Sequence, residues 1–502
     1  MKLNPNIKSI FIELVFLLYM LLFVYAAASK IFDFENFQIQ LSQSPVLSAF
    51  SYWISRLVPL TELILAALLA IPRFRFKALF GSLILMTMFT AYIFIVLHFS
   101  PFVPCSCGGI LEKMSWNTHL IFNAVFILCA IPALLFHRKS EFENSRYLFT
   151  IKSIFSAIIL SSVAVLFLYL SSEKIMHSEN PFIRRYPPHP AEFSNAIDLK
   201  FNSYYFAGFS NNKIYLGNYS TPSQVLALNN NLEHQQINTI QFDPKKIPFK
   251  VVSVHVSGSY FYLLDGSVPK VFRGYTKNWT ITKDLKGIPY FTKAIPTDSS
   301  TIAFRFNKGK KLTNIIGIFS SGTEPEIQYK SNLLKPQTDG IFDTDGTLLF
   351  SEKLQKIVYL YYYRNEFIVA DKNGKLSYTG NTIDTIKHAK IKVTALKNGR
   401  EYAISSPPFV ANPHAAVYQN LLFVHSVVKG KNENEKLWEK SFIIDVYDIN
   451  KNIYLFSFPI YHTGNQKLAS LIVNATHIYA IIGNDLVVYE LKNIIKKELK
   501  SN

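Results

Sequence analysis

The sequence predicts two parts in series: a membrane α-helical bundle, made of a four-span core plus a fifth span, and then an all-β domain built as a six-bladed β-propeller. Three observations carry this expectation. Five apolar runs of about 20 residues, each long enough to cross a bilayer, fall before about residue 170 of the 502. From about residue 190 the chain turns polar and rich in Asn, Lys, Tyr and Ile, with short alternating segments between turn residues. Those segments form a loose repeat of the length of a propeller blade. The expected divisions are 1–145 for the four-span module, 146–172 for the fifth span, 173–194 for a linker and 195–495 for the β domain.

The first span is expected near 7–28, in "IKSIFIELVFLLYMLLFVYAAA". It is too long, and too poor in cleavage signals, for a removed signal peptide. The others are expected near 52–71, 78–97, 117–136 and 151–170. Orientation follows from lysine and arginine in the short loops. Lys2 and Lys8 precede span one, Arg73, Arg75 and Lys77 separate spans two and three, and Arg138, Lys139 and Arg146 separate spans four and five. These positions belong on the cytoplasmic side. The loops holding Lys30, Asp33, Glu35, Arg56, Glu112 and Lys113 lack that bias and face outward. Five spans then send the C-terminal domain outward too, which in a bacterium is the periplasm, where disulfides persist. The chain is thus expected to be a multi-pass protein of the bacterial inner membrane with a cytoplasmic N-terminus and the lipid bilayer as a partner.

Two carboxylates fall within the spans, where ionisable groups are costly and face the bundle interior. Glu13 lies close enough to the start of span one to reach the interface. Glu62 lies deeper. It reads either as a proton or quinone contact or, preferably, as a helix–helix tie to Arg56 or a tyrosine.

The outward loop after span three reads "SPFVPCSCGGILEKMSWNTHLIFN". Pro101 and Pro104 stop the helix, and Gly108 and Gly109 permit a sharp turn. Cys105 and Cys107 therefore sit in a tight turn just ahead of a helix N-terminus, where thiolate is favoured. A disulfide across one intervening residue is sterically attainable but strained, and strained exposed disulfides exchange readily. A redox pair is the preferred reading. An inert pair remains open, and so does a zinc or copper site with Glu112 or His119, although one His beside Cys-x-Cys is an incomplete ligand set; no metal is assigned. Trp116 reads as an interfacial anchor. Cys129, about twelve residues into span four, reads as a small buried apolar side chain.

The segments "YAAASKIFDFENF…QLSQSPVL", "PLTEL…IPRFRFKALFGSLILMTMFTAYI" and "PCSCGGILEKMSWNTHLIFN" together resemble the MauE/DoxX-type redox-associated membrane proteins that carry a Cys-Ser-Cys-Gly-Gly turn. The resemblance covers about residues 7–145, and its most specific part is Cys105 to Asn123. It implies a four-helix membrane module tied to thiol–disulfide chemistry outside the cytoplasm. By it, Cys105 and Cys107 are the exchanging pair and a quinone is the implied electron acceptor; Glu62, Glu112, Trp116 and His119, read from the residues themselves, are the auxiliary candidates. The fifth span and the large β domain depart from the short form of that family.

The charged and proline-containing "SSEKIMHSENPFIRRYPPHPAEF" reads as an extended linker. Beyond it the repeat is anchored by Ile214, Phe261, Ile302, Leu348, Leu421 and Ile478, spaced by 47, 41, 46, 73 and 57 residues. Blades of four strands have this length, and the long gaps imply insertions such as "KGKNENEKLWEK". No catalytic constellation shows in the β domain. Asp343-Thr344-Asp345-Gly346 reads as a polar turn, since the remaining ligands of a calcium loop are missing. Asp371-Lys372-Asn373-Gly374 reads as a hairpin turn. His189, His255 and His425 have no paired spacing. The net charge of +18 is spread over the soluble half without a basic helix, so nucleic-acid binding is not expected. Cysteine is absent after Cys129, so the β domain carries no internal disulfide.

Two functions fit the sequence. One is a thiol–disulfide redox protein whose propeller holds a partner, a periplasmic protein with thiols or disulfides. The other is a non-enzymatic membrane-anchored binding or scaffold protein.

Overall fold

The computed structural model describes residues 5–44, 46–99, 114–138, 144–178, 182–242, 249–308, 313–391, 393–396, 401–404, 408–462, 464 and 466–500. Two compact units form: residues 1–188 with 430–434, and residues 189–429 with 435–502.

The first unit is helical. Its helices are α1 (Pro5–Phe32), α2 (Phe34–Gln43), α3 (Ser51–Ala70), α4 (Arg75–His98), α5 (Trp116–Arg138) and α6 (Asn144–Ser178). All but α2 are long and apolar enough to span a membrane. Their outer faces expose Ile10, Leu128, Phe155, Leu160 and Phe167, as expected of helices solvated by hydrocarbon, where the backbone satisfies itself within each helix. Within the spans Ser82, Thr87 and Thr90 donate to the carbonyl four residues back, so their hydroxyls add no unmet polar group. The bundle core packs Tyr19, Phe23, Leu69, Leu79, Leu83 and Leu134. The Tyr19 hydroxyl donates to the Phe126 carbonyl at 2.9 Å. Cys129 is a free thiol packed at the edge of this core. Arg75 meets the exposed Glu13 at 2.8 Å, which ties the foot of α4 to α1.

The second unit is all-β. Six antiparallel four-stranded meanders follow one another in the chain. Their first strands are Tyr204–Ser210, Ser253–Ser257, Lys293–Pro296, Gly346–Ser351, His414–Tyr418 and Leu468–Val473. Each first strand lies against the next, and the last lies against the first, so the sheets close a ring. The sixth sheet takes its outermost strand from the start of the domain: Ala191–Asp198 pairs antiparallel with Asp485–Leu491. That pairing fastens the two ends of the domain together. The result is a β-propeller.

Apolar side chains fill the wedges between neighbouring sheets, for example Phe423, Ile444, Phe458 and Ile478 between the fifth and sixth. Outer strands such as Gln236–Thr239 carry polar, largely exposed residues. Tight cross-strand packing needs glycine at Gly317, where a Cβ would stand 2.3 Å from the Phe304 ring.

Five of the six repeat anchors lie on the second strands of their sheets. Leu348 lies on a first strand, and Ile357 on Lys356–Tyr361 is the equivalent position. The long gap after Leu348 also holds an extra hairpin, Val393–Leu396 with Glu401–Ile404, between the fourth and fifth sheets. The polar 429–440 insertion carries the short helix α7 (Glu435–Lys440) between the second and third strands of the fifth sheet. A final helix, α8 (Asn493–Lys500), packs Ile495 and Leu499 into the core of the last wedge.

Candidate functional site

The membrane unit encloses a cavity of about 230 Å³ walled by side chains from all six helices. Most of the wall is apolar: Phe23, Phe37, Leu41, Met86, Phe89 and Val165. One side is polar, and it is built from α1, α3 and α5.

Lys30 stands in the last turn of α1, where a cation complements the helix dipole. It does not reach outward as a loop charge. Its Nζ donates to both Glu62 carboxylate oxygens, at 2.7 and 3.0 Å, and to the Ala26 carbonyl at 3.3 Å. Glu62 is fully buried on α3, and Lys30 is 15% exposed. The helix tie expected for Glu62 therefore exists, but its partner is Lys30. The sequence points to Arg56 because it lies on the same helix. Arg56 instead donates to the Tyr52 carbonyl and lies over the Tyr52 and Phe34 rings. The Lys30 ammonium also lies 5.9 Å from the centres of the Phe37 and Phe89 rings, an environment that favours a cation.

From α5 come Trp116, His119 and Asn123, spaced i, i+3, i+7 on one helix face. The hydroxyl of Ser115 accepts the Thr118 amide at 3.2 Å and so caps the start of this helix. The Trp116 ring sits 6.5 Å from His119 and 6.4 Å from Tyr92. Asn123 is 2% exposed, and its Nδ2 has no hydrogen-bond partner among the described residues; the same holds for Nδ1 of His119. Buried polar atoms are almost always satisfied, so two orphans on one cavity wall mark a place where a hydrogen-bonding ligand fits.

Glu62, Trp116 and His119, singled out from the sequence, thus meet in one cavity. Cys105, Cys107 and Glu112 lie outside the described residues. Lys30 and Asn123 were not singled out. Asn123 has a local signal, since it follows His119 by one helical turn. Lys30 has none, because 32 residues separate it from Glu62. Among the described residues no group of three or more His, Cys, Asp or Glu stands together as a metal site.

In the β domain the Asp343 carboxylate accepts backbone amides of Gln337, Thr338 and Gly340. Asp345 pairs with Arg305, which also donates to the Tyr359 hydroxyl at 3.0 Å. This stretch is a polar knot that organises a loop, with its carboxylates already engaged. Asp371 accepts the Asn373 and Lys375 amides and forms the expected hairpin turn. His425 does have a partner. It lies opposite His414 across a strand pair, the rings parallel at 5.6 Å. Burial, helped by the neighbouring His414 and His462, pulls its pKa down to about 3, so it stays neutral at ordinary pH.

A bundle of membrane-spanning helices with an internal, mostly apolar cavity polar on one side, followed by a β-propeller, defines a multi-pass membrane protein that contacts the lipid bilayer. Its helical part can be placed more closely: residues 8–136 match the family described as "Methylamine utilisation protein MauE". That segment contains the Cys-Ser-Cys turn and every cavity residue from α1 to α5. No curated protein matches the chain. Many solved structures resemble part of it, two of them as follows. A DUF4221 family member from Bacteroides vulgatus shares 15% identity over 60% of this chain and 97% of its own, with a TM-score of 0.37. BamB from Moraxella catarrhalis shares 10% identity over 57% of this chain and 84% of its own, with a TM-score of 0.30. The propeller assignment rests on the strand topology.

Proposed function

We propose that this chain is a membrane-embedded thiol–disulfide redox protein. Cys105 and Cys107 cycle between dithiol and disulfide at the outer membrane face, and the propeller, on the periplasmic side of a bacterial inner membrane, holds a partner protein with thiols or disulfides. The observation that carries this reading is the cavity at the head of α5. Trp116, which lines it, follows Cys107 by nine residues in the chain, and the matched family segment spans both.

Forming the Cys105–Cys107 disulfide releases two electrons and two protons. A quinone is the class of acceptor that takes up both and becomes a quinol. The cavity residues suit such a molecule. The apolar wall accommodates a lipophilic ring, and Asn123 Nδ2 and His119 are unpartnered groups able to donate to carbonyl oxygens. The Lys30–Glu62 pair sets a carboxyl group and an amine side by side on the cavity wall, in reach for proton exchange. Glu112, five residues past Cys107 in the chain, completes the auxiliary set.

Thiol trapping in intact membranes tests the reading. The pair is expected to shift between alkylatable and protected forms with oxidant and reductant, and Cys105→Ser should leave Cys107 alkylatable throughout. If both thiols stay alkylatable under every condition, the redox role fails and a membrane-anchored binding protein is left.

A further inference from the structure

In a ring of four-stranded antiparallel meanders whose first strands all run the same way, the two faces receive different segments. The connections between sheets, and the links between second and third strands, emerge on one face. The remaining turns emerge on the other.

The chemistry of the two faces differs accordingly. Every connection between sheets carries an exposed lysine: Lys200, Lys250, Lys286, Lys335, Lys387 and Lys467. The exposed carboxylates on this side among the described residues are Asp198 at the end of a flanking strand, and Glu435 and Glu439 of α7, whose own Lys436 and Lys440 offset them; Asp339 is half-buried. The large apolar side chains exposed in turns and connections of the domain fall on the same face: Phe201, Tyr219, Val251, Tyr290, Phe409 and Val427. Phe201, Val251 and Tyr290 are each more than 60% exposed, and Phe201 and Val251 directly follow Lys200 and Lys250. On the opposite face the described turns expose no large apolar side chain, and the strand ends there expose Tyr275 and Leu376, each 42%. Apart from α8, the exposed Lys277, Lys353, Lys372, Lys375 and Lys451 there stand against Glu233, Asp298, Glu324 and Glu352, so the two signs nearly cancel.

We infer that the lysine-bearing face docks on an anionic bilayer, with lipid phosphates meeting the lysines and the apolar tips entering the interfacial zone. Isolated aromatic and aliphatic tips beside lysines suit the headgroup boundary, where an apolar body and a cation are both solvated. Anionic headgroups attract such cations within a Debye length. A nucleic acid or an acidic protein would satisfy the lysines but not the scattered apolar tips. This inference is independent of the redox reading.

The test uses the full chain in lipid nanodiscs, in a Cys105→Ser, Cys107→Ser, Cys129→Ser background that removes the redox pair. A fluorophore is attached at Phe201→Cys, at Tyr290→Cys or, on the opposite face, at Asn373→Cys. Nitroxide-headgroup lipid should quench the labels at 201 and 290 at least twofold more than the label at 373. The difference should grow with phosphatidylglycerol content and shrink in high salt or with Lys200→Gln, Lys250→Gln and Lys286→Gln combined. Equal quenching at all three positions overturns the proposal, as does quenching indifferent to lipid charge. So does protection of 201 and 290 from aqueous iodide only when a duplex oligonucleotide is added, which assigns the face to a polyanion.

Discussion

Removing the Lys30 ammonium by Lys30→Met leaves the fully buried Glu62 carboxylate with no counter-charge. In the structure Lys30 supplies both of its close contacts, at 2.7 and 3.0 Å, inside a bundle of membrane-spanning helices. Breaking a buried pair from one side costs about 3–5 kcal/mol, whereas replacing both partners by apolar groups of similar size is often neutral or stabilising. Lys30→Met is therefore expected to lose about 3–5 kcal/mol, and Lys30→Met with Glu62→Leu to recover most of it. The assay is the unfolding free energy of the full chain by steric trapping in bicelles or by titration with denaturing detergent. A loss below about 1 kcal/mol for Lys30→Met, the range of an exposed pair, refutes the argument that this ion pair is buried and mutually dependent. The double variant separates tie from function. If the pair is only a helix tie, the stable double variant keeps thiol cycling; if Glu62 serves proton exchange, the variant folds and cycling slows.

Three further outcomes follow from the same geometry. Asn123→Leu removes an unpartnered buried amide, so stability should hold within about 1 kcal/mol or rise, while the affinity for a short-chain benzoquinone, measured by equilibrium dialysis in detergent, should fall about tenfold, the equivalent of one lost hydrogen bond. Asp343→Ala strips three backbone amides of their acceptor. It should cost about 2–3 kcal/mol and raise hydrogen exchange at Gln337, Thr338 and Gly340; unchanged exchange there would contradict the knot. His425, with a folded pKa near 3, binds no proton while the unfolded chain binds one below about 6.5. Stability should therefore fall as pH drops through 6.5 toward 3, by about 2 kcal/mol at pH 5 from this group. Thermal unfolding of His425→Leu should show a flatter pH dependence, and an identical slope would refute the assignment.

How much of this was legible in the sequence differed by element. The five spans were, because a run of about 20 apolar residues reports on the bilayer and needs no tertiary context. The ring of short strands was legible through its turn punctuation. Its closure was not: Ala191–Asp198 is an exposed polar strand with the same look as the preceding linker, and its partner, Asp485–Leu491, lies at the other end of the domain. Leu348 was a misleading anchor because the first and second strands of the fourth sheet both read as aliphatic-aromatic pairs. At the site, His119 and Trp116 stood out as unusual residue types beside the cysteine turn. Asn123 was visible only once they were placed on one helix face. Lys30 looked like an ordinary loop charge because α1 runs on past it to Phe32, and only packing shows it turned inward to Glu62. The His414–His425 pair was hidden for the same reason, since cross-strand register is set by the hairpin and not by spacing.

The most direct measurement for the central claim is an anaerobic titration of the dithiol form of the full chain, in nanodiscs, with a short-chain benzoquinone. Quinol absorbance and free thiol content are followed together. The account predicts one quinol formed for each Cys105–Cys107 disulfide, with no quinol formed by Cys107→Ser. Thiols that persist at full titre in the presence of excess quinone would contradict it.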